Sequence, residues 1–170
     1  NSVPLRIRLG EAYMLAGNYK EAAKQFQEAL KLQKNHVGAY HNLGMAFLYM
    51  EQEQDAEKAF QKVIELTEGT QYQNMNSTRE AAFYAMGRIY LGQKQYEKAA
   101  GYFKESQRIN SSASDTYVGL ALCLIGMRDY EGAIDQLEMG RQFDPSNSEI
   151  NYLLGEAYTN MDDKVNAVYY

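Results

Sequence analysis

AAFYAMGRIYLGQKQYEKAAGYFKES, residues 81–106, reads as two amphipathic helices joined by a short polar turn. Phe83, Met86, Gly87 and Tyr90 sit at i, i+3, i+4 and i+7, one face of a first helix. Tyr96, Ala99, Ala100 and Phe103 mark the second, with Ala99 and Phe103 at i and i+4. Gly87 falls in mid-helix, where it costs roughly 1 kcal/mol against Ala. That cost is tolerated where another backbone must come close, and Ala99 opposite is similarly small. Gly92, with Gln93, Lys94 and Gln95 after it, marks the turn. Small residues are expected to set the contact, with aromatics filling the space beside it.

Outward from this stretch the same unit recurs. The small residue of each first helix is Gly10, Gly44, Gly87, Ala121 and Gly155, at spacings of 34, 43, 34 and 34. The Ala of each second helix is Ala22, Ala56, Ala99, Ala133 and Ala167, at the same spacings. Two landmarks keeping one register define a repeat of 34 residues, the period of a helix–turn–helix unit. First helices are expected near 3–16, 37–50, 78–92, 114–126 and 147–160, and second helices near 19–33, 53–67, 96–109 and 130–143. A fifth second helix begins near Lys164. Gly69 to Thr78, GTQYQNMNST, holds the nine residues beyond the period and reads as a polar loop or an extended helix end. Ser77-Thr78-Arg79-Glu80 fits a capping box that would restart the helix there.

These units resemble the tetratricopeptide repeat, over nearly the whole chain. The family's leucine–glycine pair is matched by Leu9-Gly10, Leu43-Gly44 and Leu154-Gly155, with Met86-Gly87 and Leu120-Ala121 as variants. The aromatic three residues on is Tyr13, Phe47, Tyr90 and Tyr158, with Leu124 in the fourth unit. The second-helix aromatic is Phe26, Phe60 and Phe103, then Leu137. Arg6, Tyr40, Phe83 and Tyr117 stand where the family carries tryptophan, and only Pro145 matches the proline that closes a repeat. The resemblance implies an all-α fold, a right-handed α-solenoid of antiparallel helix pairs. It implies one array over residues 1–170, in units 3–36, 37–70, 80–113, 114–147 and 148–170, with an insertion at 69–78.

Composition agrees and excludes several function classes. Ala, Leu, Glu, Gln, Lys and Tyr dominate, as in helical proteins, and there are only 2 Pro. A formal net charge of -5 opposes a nucleic-acid-binding role, which needs a basic stripe. No run of about 18 apolar residues is present to span a membrane. One cysteine, Cys123, allows no internal disulfide and reads as a buried structural thiol. His36 and His41 are five apart, about 140° around a helix, and so are poor co-ligands for a metal. Asp129, Asp144 and Asp162-Asp163 fall at helix boundaries and turns, where Asp is favoured. No phosphate-cradling glycine loop is present. No catalytic residue, cofactor or metal is expected.

What remains is a binding surface. By the family's geometry, first helices line a concave groove. The stripe left after intra-repeat packing carries Ile7, Glu11 and Met14, then His41, Met45 and Leu48, then Tyr84, Arg88 and Leu91, then Val118, Leu122 and Ile125, then Tyr152, Glu156 and Thr159. Aromatics, Arg and Met are enriched at interfaces, so the expected groove residues are His41, Asn42, Met45, Tyr84, Arg88, Tyr152 and Glu156. Arg88 and Tyr84 are expected to form one patch, with Asp115, Glu149 and Glu156 making the far end suit a basic segment. Asn42 matches the central asparagine of the family's carboxylate clamp. Its flanking positions hold Ile7, Glu11, Ala81 and Ala85, or His41, Met45, Asp115 and Gly119 one repeat on, so no lysine or arginine is left for a carboxylate.

The expected function is a protein–protein interaction scaffold that takes a peptide or protein segment in its groove. The rivals are a self-assembling array and a regulatory or adaptor part of a larger enzyme or secretion complex. The sequence carries no address; a cytoplasmic setting is the expectation, and an extracytoplasmic part of an anchored or exported protein is the alternative. Partners are protein or peptide, not nucleic acid. The chain also reads as a piece of a longer array, in which Val165, Val168 and Tyr169 need cover from further residues or another molecule; self-association through that end is the expectation.

Overall fold

The computed structural model describes residues 2–69, 75–162 and 164–169. Its described residues form ten helices and no strand: α1 (Val3–Leu15), α2 (Tyr19–Leu32), α3 (Val37–Tyr49), α4 (Glu53–Leu66), α5 (Asn76–Gly92), α6 (Tyr96–Ile109), α7 (Ser114–Gly126), α8 (Tyr130–Phe143), α9 (Ser148–Asn160) and α10 (Lys164–Tyr169). Each lies within two residues of its expected span. The chain divides into two compact units, residues 1–82 and 83–170, with the division inside α5. In the first unit α1 packs on α2, α2 on α3, and α3 on α4. In the second, α6 packs on α7, α7 on α8, α8 on α9 and α9 on α10.

What joins the helices of a pair is an aromatic ring laid on a bare stretch of backbone. A Cβ added at Gly87 of α5 would lie 2.8 Å from Cδ1 and Cε1 of Phe103 on α6, and one at Gly44 of α3 would lie 2.8 Å from Cζ of Phe60 on α4. Gly10 of α1 meets Phe26 of α2 in the same way. All three rings are fully buried, and each burial contributes about 1.5–3 kcal/mol. The partner of the glycine is therefore the ring itself, not the small Ala99 expected opposite. The fourth pair reaches a similar fit with its volumes exchanged. Ala121 supplies the methyl that glycine lacks, Leu137 replaces the ring, and both are fully buried in one cluster with Ile150 and Leu154.

The turn within each pair is equally regular. Gly17, Glu51, Lys94, Arg128 and Asp162 all have φ between 58° and 74°, and they keep the same 34, 43, 34, 34 register. After α5, Lys94 N–H donates to the carbonyl of Leu91 and Gln95 N–H to that of Tyr90, both at 2.9 Å. Equivalent bonds close α1, α3 and α7. This is the double bond of a Schellman motif, which satisfies carbonyls that a helix end leaves open. The residue after the left-handed one then starts the next helix: Asn18, Gln52, Gln95 and Asp129. Only Asp129 adds a side-chain cap, accepting from Gly132 N–H at 3.0 Å. Gly92, expected to mark a turn, is instead the last residue of α5.

The insertion departs from expectation at its end. Asn76 to Thr78 already belong to α5, so Ser77 lies inside the first turn and cannot be its N-cap. The first-turn N–H groups of a helix have no intrahelical partner, so polar residues are accommodated there. Residues 70–74 lie outside the described residues. At the start of the chain, Pro4 occupies the first turn of α1, where its missing N–H is no loss. Arg6 Nη1 donates to Gln25 Oε1 at 2.6 Å, a polar contact in place of the aromatic found there in the next three units.

Gly87→Leu is expected to destabilise the protein by about 1–3 kcal/mol in urea denaturation, because Phe103 has nowhere to go. Gly101, also helical but with open space where a Cβ would sit, is the control: Gly101→Ala should stabilise by about 0.5–1 kcal/mol. Equal effects at the two positions would contradict the ring-on-backbone joint.

Candidate functional site

The seven expected groove residues divide between the two units. His41, Asn42 and Met45 stand on α3 in the first; Tyr84 and Arg88 on α5, and Tyr152 and Glu156 on α9, belong to the second.

In the first unit the polar side chains are tied to each other. Asn42 Nδ2 donates to Glu11 Oε1 at 3.2 Å, and His41 Nδ1 lies 3.3 Å from Asn42 Oδ1. The His41 ring meets Phe60 edge-on, with centroids 6.0 Å apart. Burial pushes the imidazole below its ordinary pKa of 6.5, against a smaller opposing effect of the Asn42 hydrogen bond. His41 is thus part of the wall behind the stripe as much as of the stripe itself. His36 has a separate, structural role: its Nδ1 accepts from Ala39 N–H at 3.1 Å and caps α3.

In the second unit three first helices line one cavity of about 330 Å³. Tyr84, Arg88 and Leu91 of α5, at i, i+4 and i+7, form one wall. Asp115, Val118, Gly119 and Leu122 of α7 form the next, and Glu149 of α9 closes it. Phe103 of α6 is the floor. Its ring packs under the Gly119 backbone, where a Cβ would lie 2.6 Å from it, and stays fully buried beneath the cavity. Tyr84 stands edge-on to the same ring, centroids 5.6 Å apart. Among the described residues, Arg88, Asp115 and Glu149 make no side-chain hydrogen bond or ion pair. The Tyr84–Arg88 patch is therefore continuous with two carboxylates that the stripe alone put at its far end.

Tyr152 and Glu156 do not line this cavity. Tyr152 is 69 % exposed, and the Glu156 carbonyl accepts from Asn160 Nδ2 at 2.8 Å. Phe103 and Gly119 were missed as site residues. Their signal was present: Gly119 precedes Leu120-Ala121 on a helix face already carrying Asp115, Val118 and Leu122. A larger cavity, about 680 Å³, lies by Glu138, Arg141 and Tyr169, but there Arg141 is already paired with Glu138 at 2.7 Å. Cys123 is fully buried; burial pushes its thiol up to about 11, which leaves it inert at neutral pH. Among the described residues no three His, Cys, Asp or Glu side chains are grouped to hold a metal, and no helix is long and apolar enough to cross a membrane.

Helix pairs in a recurring register, the first four each joined by a Schellman turn, define a helical repeat protein. Tetratricopeptide repeat models match residues 4–69, 41–114 and 90–157, and the chain belongs to the tetratricopeptide repeat family. It is 24 % identical over 160 residues to anaphase-promoting complex subunit 3 of Schizosaccharomyces pombe, covering 90 % of this chain and 23 % of that protein. It is 21 % identical over 140 residues to the BBSome complex member BBS4 of Bos taurus, covering 82 % of this chain and 25 % of that protein. The chain thus spans about a quarter of the length of the curated relatives it matches. Among solved structures, MamA from Desulfovibrio magneticus RS-1 superposes with a TM-score of 0.87 at 22 % identity, over 98 % of this chain and 89 % of that one. YrrB, described as a tetratricopeptide protein with an unusual peptide-binding site, superposes with a TM-score of 0.79 at 18 % identity, over 99 % and 82 %. These neighbours share the helix-pair solenoid fold.

Because the folded chain holds His41 below 6.5, the unfolded chain takes up its proton first as pH falls. Stability should therefore be full well above pH 6.5 and decline as pH falls through 6.5 toward the folded-state value. The drop in denaturation midpoint between pH 7.5 and 5 should be smaller in His41→Gln than in the parent. An unchanged drop would mean that His41 is not held neutral by burial.

Proposed function

We propose that this chain is a non-catalytic interaction scaffold whose first-helix surface holds a segment of a partner protein, with Tyr84 and Arg88 as the anchors. The observation that carries this reading is the cavity of the second unit. It joins an aromatic floor to unpaired charges of both signs, the composition of an interface hot spot. Arg88 offers a planar fork of donors suited to a backbone carbonyl or carboxylate. Tyr84, braced against Phe103, offers a rigid apolar face beside it. The peptide-binding site named for YrrB supports the same use of this fold.

Self-association is the second reading, and one observation favours it. Leu5 and Leu9 of α1 are 57 % and 40 % exposed, whereas Ala39 and Leu43, one period on, are 0 % and 7 %. Ile150 and Leu154, at the same register of α9, are fully buried against α8. α1 thus presents a face that elsewhere in the chain receives a second helix. Val165, Val168 and Tyr169 of α10 are 82 %, 87 % and 77 % exposed.

Peptides selected from a random display library on the wild-type chain test the first reading. Tyr84→Ala and Arg88→Ala should each weaken them about tenfold, and Lys24→Ala on the second helix of the first unit should leave them unchanged. Selected peptides indifferent to Tyr84 and Arg88 would contradict it. The second reading predicts a sedimentation mass that rises with concentration and returns to that of a monomer in the Leu5→Lys, Leu9→Lys double variant. A concentration-independent monomer would remove it.

A further inference from the structure

We infer that the cavity between α5, α7 and α9 receives one basic side chain of the bound segment, a lysine or arginine, and so orients that segment across the three helices. This deepens the reading of the first-helix surface as a peptide site and rests on it. The partly exposed apolar surface where a long side chain would lie is Leu91 of α5 and Leu122 of α7, above the buried Phe103. Lys and Arg bury their methylene stems on such a surface while the charged head reaches out. The heads available to meet it are the carboxylates of Asp115 and Glu149, on two different helices and both without a side-chain partner among the described residues.

Each carboxylate stands in the first turn of its helix, a place the helix dipole favours for any acid. That preference explains one acidic residue per helix. It does not explain why both line a single aromatic-floored cavity with a lone guanidinium on the third wall. Arg88 supplies the polarity. A second cation on the α5 side would meet like charge, whereas a carboxylate or carbonyl there would meet five donors. The segment therefore lies with its acidic or carbonyl side toward α5 and its basic side toward α7 and α9. An acidic segment in the reverse sense would face both carboxylates, and nucleic acid would do the same along its whole backbone.

Three capped hexapeptides with one apolar frame test this: one carrying a single lysine, one norleucine in its place and one glutamate. Norleucine keeps the stem and removes the charge. Each is titrated into the whole chain while amide resonances of Val118 and Gly119 are followed by NMR, at low and high salt. The lysine peptide should bind tightest, shift both amides, and lose its advantage at high salt. Asp115→Asn and Glu149→Gln should each weaken it about threefold, as exposed ion pairs do, and together should bring it level with norleucine. The dispersion of each variant's own spectrum establishes that it is folded. Norleucine binding as tightly as lysine would overturn the charge assignment and leave the peptide reading standing. So would a lysine advantage that survives the double variant, or a glutamate peptide that binds tightest. If no peptide shifts Val118 or Gly119, the inference and the peptide reading fall together.

Discussion

The first three helix pairs of this protein depend on a ring laid against backbone that carries no Cβ. Phe26, Phe60 and Phe103 each close on a glycine of the preceding helix, and a buried ring makes many small dispersion contacts that a Cβ would exclude. A mid-helix glycine costs roughly 1 kcal/mol of helix propensity, and the burial it permits more than offsets that. The fourth pair makes the same point by exception. With Ala121 in place of glycine there is no room for a ring, and Leu137 stands there instead. Glycine-with-phenylalanine and alanine-with-leucine are two solutions to one volume constraint.

That constraint reaches the functional surface directly. Phe103 is held by Gly87 on one side and meets Gly119 on the other. The ring that joins α5 to α6 is therefore also the floor of the cavity that α7 completes. Tyr84 stands against the same ring. A site built on a core side chain is braced by the packing that folds the unit, and less conformational entropy is lost when a partner binds there. In the first unit the corresponding wall is occupied differently. His41 lies against Phe60, and Asn42 is bonded to Glu11, so the polar groups are committed to each other.

Much of the turn chemistry was hidden from sequence reading, for a definable reason. A left-handed residue at a helix end is usually glycine, yet of the five such positions only Gly17 is glycine; the others are Glu51, Lys94, Arg128 and Asp162. The Schellman bonds and the packing of both flanking helices hold these residues in a conformation that costs roughly 1–2 kcal/mol. Gly92, the residue that looked like the punctuation, lies inside α5. The capping box at Ser77 failed in a related way. Ser, Thr and Asn suit a cap and a first turn alike, and the pattern does not say which they occupy.

Helix identity, pairing and register were legible because they rest on local repetition: i, i+4 faces within a helix and a 34-residue period between them. Leu9-Gly10 and Phe26 recur as Leu43-Gly44 and Phe60, and each unit buries its face only against its neighbours, so reading one unit reads the array. The Tyr84–Arg88 patch was legible too, since both residues lie one turn apart on one helix. That Asp115 and Glu149 join them in one cavity, over Phe103, was decided by tertiary structure alone. These residues sit on α5, α6, α7 and α9, and their separation depends on how closely successive helices approach. Single atoms control that approach: the missing Cβ atoms of Gly87 and Gly119, each of which would strike Phe103, let α5 and α7 close on the same buried ring.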